Sequence, residues 1–141
     1  MTQKWMLDTD ICIHVLNRRH ACERIIQRMH GLAYDQILIS SITYVELRFG
    51  MSKSNQPPQN QAALILFLER FHIAPFGHSV SRCYDDIQPS LQSTKRSIGP
   101  LEALIAVHAL SLNCTLVTQN VRHFSGIKGL VVEDWINEDS S

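Results

Sequence analysis

The sequence predicts an α/β fold in which helices cover both faces of a parallel sheet. Short apolar runs typical of buried strands recur along the chain, and helical patterns separate them. The chain of 141 residues has the length of a single domain that can bury a sizeable core. Its apolar fraction of 45% and its charged fraction of 18% are typical of a soluble globular domain.

The first half of the chain shows this alternation clearly. The apolar run Trp5–Leu7 stops abruptly at Asp8, which predicts a buried strand followed at once by a helix that Thr9 or Asp10 can cap. The next predicted elements are helices over 11–19 and 21–30, a strand over 37–39, a helix over 42–49, a loop over 52–61, a helix over 61–71 and an edge strand over 72–74.

The second half continues the pattern. A helix is predicted over 79–94, although Pro89 is expected to kink or break it. The predicted helix over 101–112 carries almost no polar residue besides Glu102 and His108, so it should be buried. The last predicted elements are a strand over 115–117, a loop with a short turn of helix over 119–129, a strand over 130–132 and a tail from about residue 136, all within a single domain 1–141.

Charge and cysteine content exclude several classes of protein. The charges of 13 basic and 13 acidic residues cancel, so net charge gives no argument for nucleic-acid binding. A local basic patch is still compatible with this composition. No apolar run is long enough to span a membrane, and the N-terminus does not resemble a signal peptide. The four cysteines form no CxxC pair, so neither disulfides nor a zinc site is expected, and a reducing cytoplasm is the expected compartment.

Three carboxylates and one amide are predicted to lie near one edge of the sheet, because strand ends and helix N-termini meet there in a parallel sheet. They are Asp8 after the first strand, Glu46 one turn into the helix after the second, Glu102 in the first turn of a buried helix, and Asn120 after the strand 115–117. On local grounds alone, Asp8 is equally well explained as a helix cap. Glu102 is likewise explained as a charge that stabilises a helix N-terminus.

Carboxylates that converge at one edge point to a cation. They repel one another unless a positive ion lies between them. Oxygen ligands suit a hard cation, Mg²⁺ or Mn²⁺. Such a site orients and activates water and stabilises charge on a phosphoryl group. The residue pattern therefore predicts metal-dependent phosphodiester hydrolysis.

An ordered series of motifs resembles the PIN-domain ribonucleases, and within them the VapC-type toxins of bacterial type II toxin–antitoxin systems. The motifs are MLDTDICI at 6–13, SITYVEL at 41–47 with Gly50, IGP at 98–100 with IAVHAL at 105–110, and TQN at 118–120 with Phe124. The resemblance extends from Met6 to about Trp135. It implies a three-layer α/β fold whose central parallel sheet of four to five strands is flanked by helices.

The resemblance also implies a function and partners. It implies that an acidic cluster binds Mg²⁺ or Mn²⁺, that RNA is cleaved endonucleolytically, that the protein dimerises, and that a cognate VapB-type antitoxin covers the site. By position, the catalytic residues are then Asp8, Glu46, Glu102 and Asn120, with the three acids as metal ligands. The third position is normally Asp, and Glu102 reaches about 1.5 Å further. A misplacement of about 1 Å can cost on the order of a hundredfold in rate. The departure therefore indicates a compensating backbone, an impaired site or a residue that was altered on purpose.

Further polar residues have predicted supporting roles. Three side chains near the same edge are assigned to capping or to contacts through water: Asp10, Thr9 and Thr118. For Asp10 this role is favoured over direct ligation. Three arginines are candidates for contacts with RNA phosphates, although a solvated basic face explains them equally well: Arg18, Arg19 and Arg122.

Three functions follow as hypotheses. The first is a metal-dependent endoribonuclease that acts as a toxin and is inhibited by its antitoxin. The second is a catalytically impaired PIN-like module that binds antitoxin or RNA without efficient turnover because of Glu102 and Asn120. The third is a phosphatase with Asp8 as nucleophile, since Asp-x-Asp after a first strand also occurs in haloacid-dehalogenase-like enzymes. That chemistry needs a lysine near a strand end, and the sequence places none there.

Overall fold

The computed structural model describes residues 2–53, 57–93 and 98–137. The strands in these ranges are β1 Trp5–Leu7, β2 Ile37–Ser40, β3 His72–Ala74, β4 Thr115–Val117 and β5 Val132–Glu133. The helices in the same ranges are α1 Thr9–Leu16, α2 Cys22–His30, α3 Ser41–Ser52, α4 Pro57–Leu68, α5 His78–Ser93, α6 Pro100–Ser111 and α7 Val121–Phe124, with a 3-10 turn over Tyr34–Gln36.

The five strands form one parallel sheet in the order β3-β2-β1-β4-β5, which confirms the predicted sheet and the edge position of β3. In the central strand, Met6 lies opposite Leu38 of β2 and Leu116 of β4. The chain builds the sheet outward from β1 in both directions, so the strand order switches between β1 and β4. Ligands of open α/β sheets bind at the carboxyl ends of the strands at such a switch point.

Side chains of the central strands alternate between two apolar cores, one on each face of the sheet. Leu7 and Val117 pack in the core formed with α1, α2 and α4. Met6 and Leu116 pack in the core formed with α5 and α6. The helices therefore make the two outer layers of the predicted three-layer fold. None of the helices in the described part of the chain combines the length and apolar character that a membrane span requires.

Two helix starts differ from the sequence prediction. The Asp8 carboxylate caps α1 by accepting from the N–H of Thr9 at 2.8 Å, so neither Thr9 nor Asp10 is the cap. The loop predicted over 52–61 is shorter than expected, because α4 begins at Pro57; residues 54–56 lie outside the described residues. Proline is tolerated in the first turn of a helix, where its missing N–H would have no intrahelical partner.

Proline does not break α5 either. The helix continues through Pro89 to Ser93. Pro89 and Asp85, whose carbonyl would have accepted from the residue at position 89, are both exposed. The lost hydrogen bond therefore lies on the solvent side of the helix and not in the core. Residue 94, the predicted end of this helix, lies outside the described residues.

The last strand lies later than predicted. The sequence predicted a strand over 130–132, whereas β5 is Val132–Glu133 and Val131 is 60% exposed. Trp135 and Ile136 then pack in the core and are 1% and 6% exposed. The packed chain therefore includes position 136, where the tail was predicted to begin. Residues 138–141 lie outside the described residues.

Candidate functional site

Polar residues follow both strands that flank the switch point of the sheet. Asp8 follows β1 directly, and Thr118 follows β4 directly. The N–H of Asp8 donates to the carbonyl of Val117 at 2.8 Å, which brings the two strand ends level with each other. The Thr118 hydroxyl donates to Asp8 Oδ2 at 2.9 Å. Both side chains are buried, since Asp8 is 3% exposed and Thr118 is 0% exposed.

Asp8 is a buried carboxyl group with a strongly raised pKa. Burial is the main cause and raises the pKa of Asp8 to about 7, with the negative charge of Asp10 adding to it. The charge of Glu102 acts in the same direction, whereas hydrogen bonds from Thr118 and Thr9 act against it. Without a cation nearby, this carboxyl keeps its proton up to neutral pH. A bound cation would favour the charged form instead.

Asp10 lies in the same polar cluster and holds the loop that follows β4. Its Oδ2 accepts from the N–H of Gln119 at 3.2 Å and from Nδ2 of Asn120 at 3.3 Å. The same oxygen lies 3.3 Å from the hydroxyl of Thr118. Burial raises the pKa of Asp10 as well. Asp10 therefore orders Gln119 and Asn120 around Asp8, while the capping expected of it is done by Asp8.

Glu46 reaches this region from α3, which Ser40 caps by accepting from the N–H of Ile42 at 3.0 Å. The Oε1 of Glu46 accepts from the hydroxyl of Thr9 at 2.6 Å. The Thr9 hydroxyl oxygen also lies 3.0 Å from that of Thr43. Each hydroxyl has one proton, so Thr43 donates to Thr9 and Thr9 donates to Glu46. Thr9 therefore connects the N-terminus of α1 to the second predicted acid.

Glu102 occupies the first turn of α6, and both of its carboxylate oxygens have protein partners. Its Oε1 accepts from the N–H of Gly99 at 3.1 Å, the backbone half of a capping box. Its Oε2 lies 2.8 Å from Nδ1 of His123 on α7. The position of Glu102 thus agrees with the local explanation as a helix N-terminal charge. Its charge also reaches Asp8, where it contributes to the raised pKa.

We call the four carboxylates of this region the acidic edge: Asp8, Asp10, Glu46 and Glu102. Within residues 2–53, 57–93 and 98–137, no three side chains of the types His, Cys, Asp and Glu stand close enough together to hold a metal ion. The donor chemistry nevertheless fits a hard divalent cation. The acidic edge offers carboxylate oxygens as ligands. Burial disfavours the negative charge of Asp8, its most buried carboxyl, unless a cation lies nearby.

His108 lies on α6 and belongs to the core. It is 0% exposed, and its Nδ1 lies 2.8 Å from Ser40 Oγ. The ring packs edge-on against Phe76, with centroids 5.3 Å apart. Burial lowers the pKa of His108, so the ring is neutral at pH 7. These contacts agree with a structural role for this histidine.

The arginines predicted to contact RNA lie at different distances from the acidic edge. Arg122 is exposed on α7, two residues after Asn120. Arg18 and Arg19 are exposed just beyond the end of α1. That helix has eight residues and so spans about 12 Å away from Asp8. Arg122 thus follows the segment that contacts Asp10, whereas Arg18 and Arg19 lie beyond the far end of α1.

Sequence reasoning missed three contacts around the acidic edge. The bond between Glu102 and His123 joins positions 21 residues apart, so no local pattern indicates it. The hydroxyl of Thr43 contacts that of Thr9, 34 positions away in the sequence, and no local pattern indicates this contact either. The contact of Gly99 with Glu102 had a local signal, because proline at the first helical position and Glu at the third are typical of a capped helix start.

Residues 5–130 match the model of the family described as PIN domain. Several curated relatives match nearly the whole chain. Ribonuclease VapC2 of Rickettsia felis is 37% identical over 132 residues, which cover 93% of this chain and 97% of that protein. The tRNA(fMet)-specific endonuclease VapC of Shigella flexneri is 33% identical over 132 residues, which cover 94% of this chain and 98% of that protein.

Solved structures share the fold at a similar level of identity. VapBC2 from Rickettsia felis, bound to a DNA fragment from their promoter, matches with a TM-score of 0.83 at 34% identity, covering 94% of this chain and 99% of that chain. VapBC-1 from nontypeable Haemophilus influenzae matches with a TM-score of 0.81 at 34% identity, covering 94% of this chain and 98% of that chain. Both matches extend over nearly the whole chain.

Proposed function

The chain belongs to the PIN-domain family, and from this membership and the acidic edge we propose that it is a metal-dependent endoribonuclease of the VapC toxin type. The observation that carries the proposal is the buried carboxyl of Asp8. Burial and the charge of Asp10 raise its pKa to about 7, so the group is suited to ionise against a cation. Hydrolysis of a phosphodiester is the reaction that such an oxygen-ligated cation supports.

RNA is the proposed substrate, and a VapB-type antitoxin is the proposed inhibitor. The curated relatives are named ribonuclease VapC2 and tRNA(fMet)-specific endonuclease VapC, and the matched structures are VapBC complexes. Apolar surface beside Glu46 suits a protein partner. Val45 and Phe49 on α3 are each 61% exposed, and a cavity of about 240 Å³ lies between Ile13, Glu46 and Met51. This surface is the candidate contact for the antitoxin or for a second subunit of a homodimer.

The proposed division of roles follows the contacts. Asp8, Glu46 and Glu102 are the proposed ligands of Mg²⁺ or Mn²⁺. When bound, the ion supplies a positive charge that polarises the phosphodiester and activates water. Thr118 orients Asp8 through its hydroxyl. Asp10 holds the loop that carries Asn120, the fourth proposed catalytic residue, because Nδ2 of Asn120 donates to Asp10 Oδ2.

The proposal is tested with purified protein, free of antitoxin, and a defined RNA. We expect cleavage with Mg²⁺ or Mn²⁺, none in excess EDTA, and recovery when the metal is returned. Folded protein that cleaves no RNA with any divalent metal contradicts the nuclease function. Cleavage that persists in EDTA contradicts the metal dependence alone.

Metal binding is expected to weaken as the pH falls below about 7. In the metal-free fold the pKa of Asp8 is about 7, so a proton competes with the cation below that pH and not above it. For one competing proton the apparent affinity falls about tenfold for each pH unit. Calorimetric titration with Mn²⁺ at about pH 5.5 and about pH 7.5 measures this difference. Equal affinity at both values contradicts the assignment of Asp8 as a ligand.

The hydroxyl of Thr9 is expected to affect catalysis more than folding. Thr9→Val removes the 2.6 Å bond to Glu46 and should lower kcat roughly 10- to 100-fold, the usual effect of losing a group that orients a metal ligand. Thr43→Val is the matched control, because it breaks the same bond between the two threonines and leaves the bond to Glu46. Both variants should lose about 1 kcal/mol of stability. Single-turnover cleavage and thermal unfolding separate the two effects; equal rates for both variants contradict the role of Thr9.

A second candidate function is an impaired module that binds antitoxin or RNA without efficient turnover. It is favoured by the carboxylate of Glu102, which already has a protein partner at each oxygen. Glu102→Asp distinguishes the two functions. A large gain of cleavage shows that the longer side chain impairs the site. A loss of cleavage shows that the site is adapted to Glu at this position.

A further inference from the structure

The carboxylate of Glu102 is held by contacts from two separate segments. Its Oε1 accepts from the N–H of Gly99 at 3.1 Å, within the start of α6. Its Oε2 lies 2.8 Å from Nδ1 of His123 on α7. A carboxylate only accepts hydrogen bonds, so His123 donates through Nδ1. A side chain with three rotatable bonds is thereby held in one place.

His123 lies in the segment that directly follows Asn120, next to the contacts of Asp10. Its helix, α7, begins directly after Asn120, and Nδ2 of Asn120 bonds to Asp10 Oδ2 at 3.3 Å. The bond from His123 therefore ties the first turn of α6 to the segment after β4 that Asp10 orders. The charge of the carboxylate that His123 contacts also contributes to the raised pKa of Asp8.

The surroundings of Glu102 and His123 hold the Glu102 carboxylate in place and leave it accessible. A Cβ at position 99 would lie 3.3 Å from Glu102 Oε1, closer than an ordinary contact, so glycine makes room for the oxygen. The side chains of Glu102 and His123 are 26% and 38% exposed. Each oxygen of Glu102 still has a lone pair after its protein contact. The contacts thus orient the carboxylate and leave it able to bind a cation.

We propose that His123 is a positioning residue that fixes the Glu102 carboxylate within the acidic edge, so that Glu serves as a metal ligand at this position. The inference rests on the proposed metal-dependent function, and it assigns no step of the reaction to His123. Gly99 and His123 together determine where the longer side chain ends. A side chain shortened by one methylene, as in Glu102→Asp, cannot keep both contacts.

Single variants of His123 test the proposal in the full-length protein. His123→Ala should lower kcat roughly 10- to 100-fold with little change in KM, and should reduce the rise in Tm that Mn²⁺ produces. His123→Asn should recover most of both, because its amide offers a donor near the place of Nδ1. His30→Ala is the matched control, an exposed histidine in the last turn of α2, and should change neither.

A double-mutant cycle tests whether His123 acts through Glu102. We expect Glu102→Asp to lower cleavage and the Mn²⁺-induced rise in Tm, since the shorter side chain loses its contacts. His123→Ala should then add almost nothing in the Glu102→Asp background. Effects that simply add in the double variant overturn the proposal, because His123 then acts elsewhere.

The remaining outcomes also decide the question. The proposal is overturned if His123→Ala cleaves RNA and binds Mn²⁺ like the wild type. It is equally overturned if the Ala and Asn variants lose the same Tm in EDTA while the Mn²⁺ shift is unchanged, because His123 then only packs α7 against α6. If the wild type binds Mn²⁺ but cleaves no RNA, the nuclease function fails while the Mn²⁺ shift still tests His123. A wild type without any Mn²⁺ shift overturns the inference itself.

Discussion

Replacing Asp8 by Asn is expected to abolish RNA cleavage and to make the metal-free protein more stable at neutral pH. The change removes the most buried charge of the proposed metal site, and losing one such group costs roughly 10²- to 10³-fold in rate or more. The fold should persist. The amide oxygen can accept from the N–H of Thr9 as Oδ1 does, and the Thr118 hydroxyl can turn to Asp10 Oδ2, 3.3 Å away.

The gain in stability follows from the direction of the pKa shift of Asp8. In the folded protein burial raises this pKa from 3.8 to about 7, so ionisation is more costly in the folded state than in the unfolded chain. The contribution of Asp8 to the stability of the wild type is therefore most favourable below about pH 4, becomes less favourable as the pH rises to about 7, and changes little above that. A shift of about three pKa units corresponds to at most roughly 4 kcal/mol. Asp8→Asn avoids this cost.

Thermal unfolding in EDTA from about pH 4 to about pH 8, with Mn²⁺-dependent cleavage measured in parallel, tests both effects. Asp35→Asn replaces an exposed acid in the 3-10 turn and should change neither measurement. If Asp8→Asn cleaves RNA within about tenfold of the wild type, Asp8 is not a metal ligand. If the variant is less stable than the wild type at neutral pH, the buried charge of Asp8 does not destabilise the folded protein.

Local sequence patterns were sufficient to predict which acids lie near the end of a strand. Asp8 follows an apolar run that stops at once, and Glu46 lies one turn after the strand end at Ser40. Such positions depend on where an apolar strand ends and on the spacing of residues along a helix, and the sequence shows both. The parallel sheet then places these residues on one side of the molecule.

Contacts between distant segments could not be predicted in this way. His123 follows Glu102 by 21 positions and Thr118 follows Asp10 by 108. Side-chain packing at the end of the sheet determines which oxygen each donor reaches. No periodic pattern in the sequence indicates this packing. The sequence left capping open between Thr9 or Asp10 and the local explanation of Asp8 as a cap, and in the structure the Asp8 carboxylate is the cap. The predicted roles at the acidic edge therefore changed more than the predicted positions.

The proline-rich stretch was misjudged for a different reason. Pro57 was predicted to lie in a loop and Pro89 to kink or break a helix, yet Pro57 begins α4 and α5 continues through Pro89. At a helix start the missing N–H costs no intrahelical bond, and at an exposed position one lost bond is tolerated. Composition alone does not distinguish these positions from a loop.

Truncating Trp135 to Ala is expected to lower the free energy of unfolding by about 3–5 kcal/mol, the usual cost of removing a large buried aromatic side chain. Trp135 is 1% exposed. Its Nε1 donates to Glu133 Oε1 at 3.0 Å, and Nε1 of Trp5 donates to the same oxygen at 3.1 Å. The guanidinium of Arg28 lies 5.2 Å from the centroid of the Trp135 ring. These contacts join the end of the described chain to β5, to α2 and to the start of β1.

Trp135→Phe is the matched control, since it keeps most of the apolar contact and loses the bond to Glu133, a cost of about 1 kcal/mol. For a domain of 141 residues each kcal/mol corresponds to about 3–5 °C, so Tm should fall by about 10–20 °C in the Ala variant. Urea unfolding of the three proteins at one temperature measures the difference directly. A cost below about 1 kcal/mol for Trp135→Ala contradicts this account. The segment after β5 would then be dispensable, because Trp5 and Glu133 would hold the edge of the sheet without it.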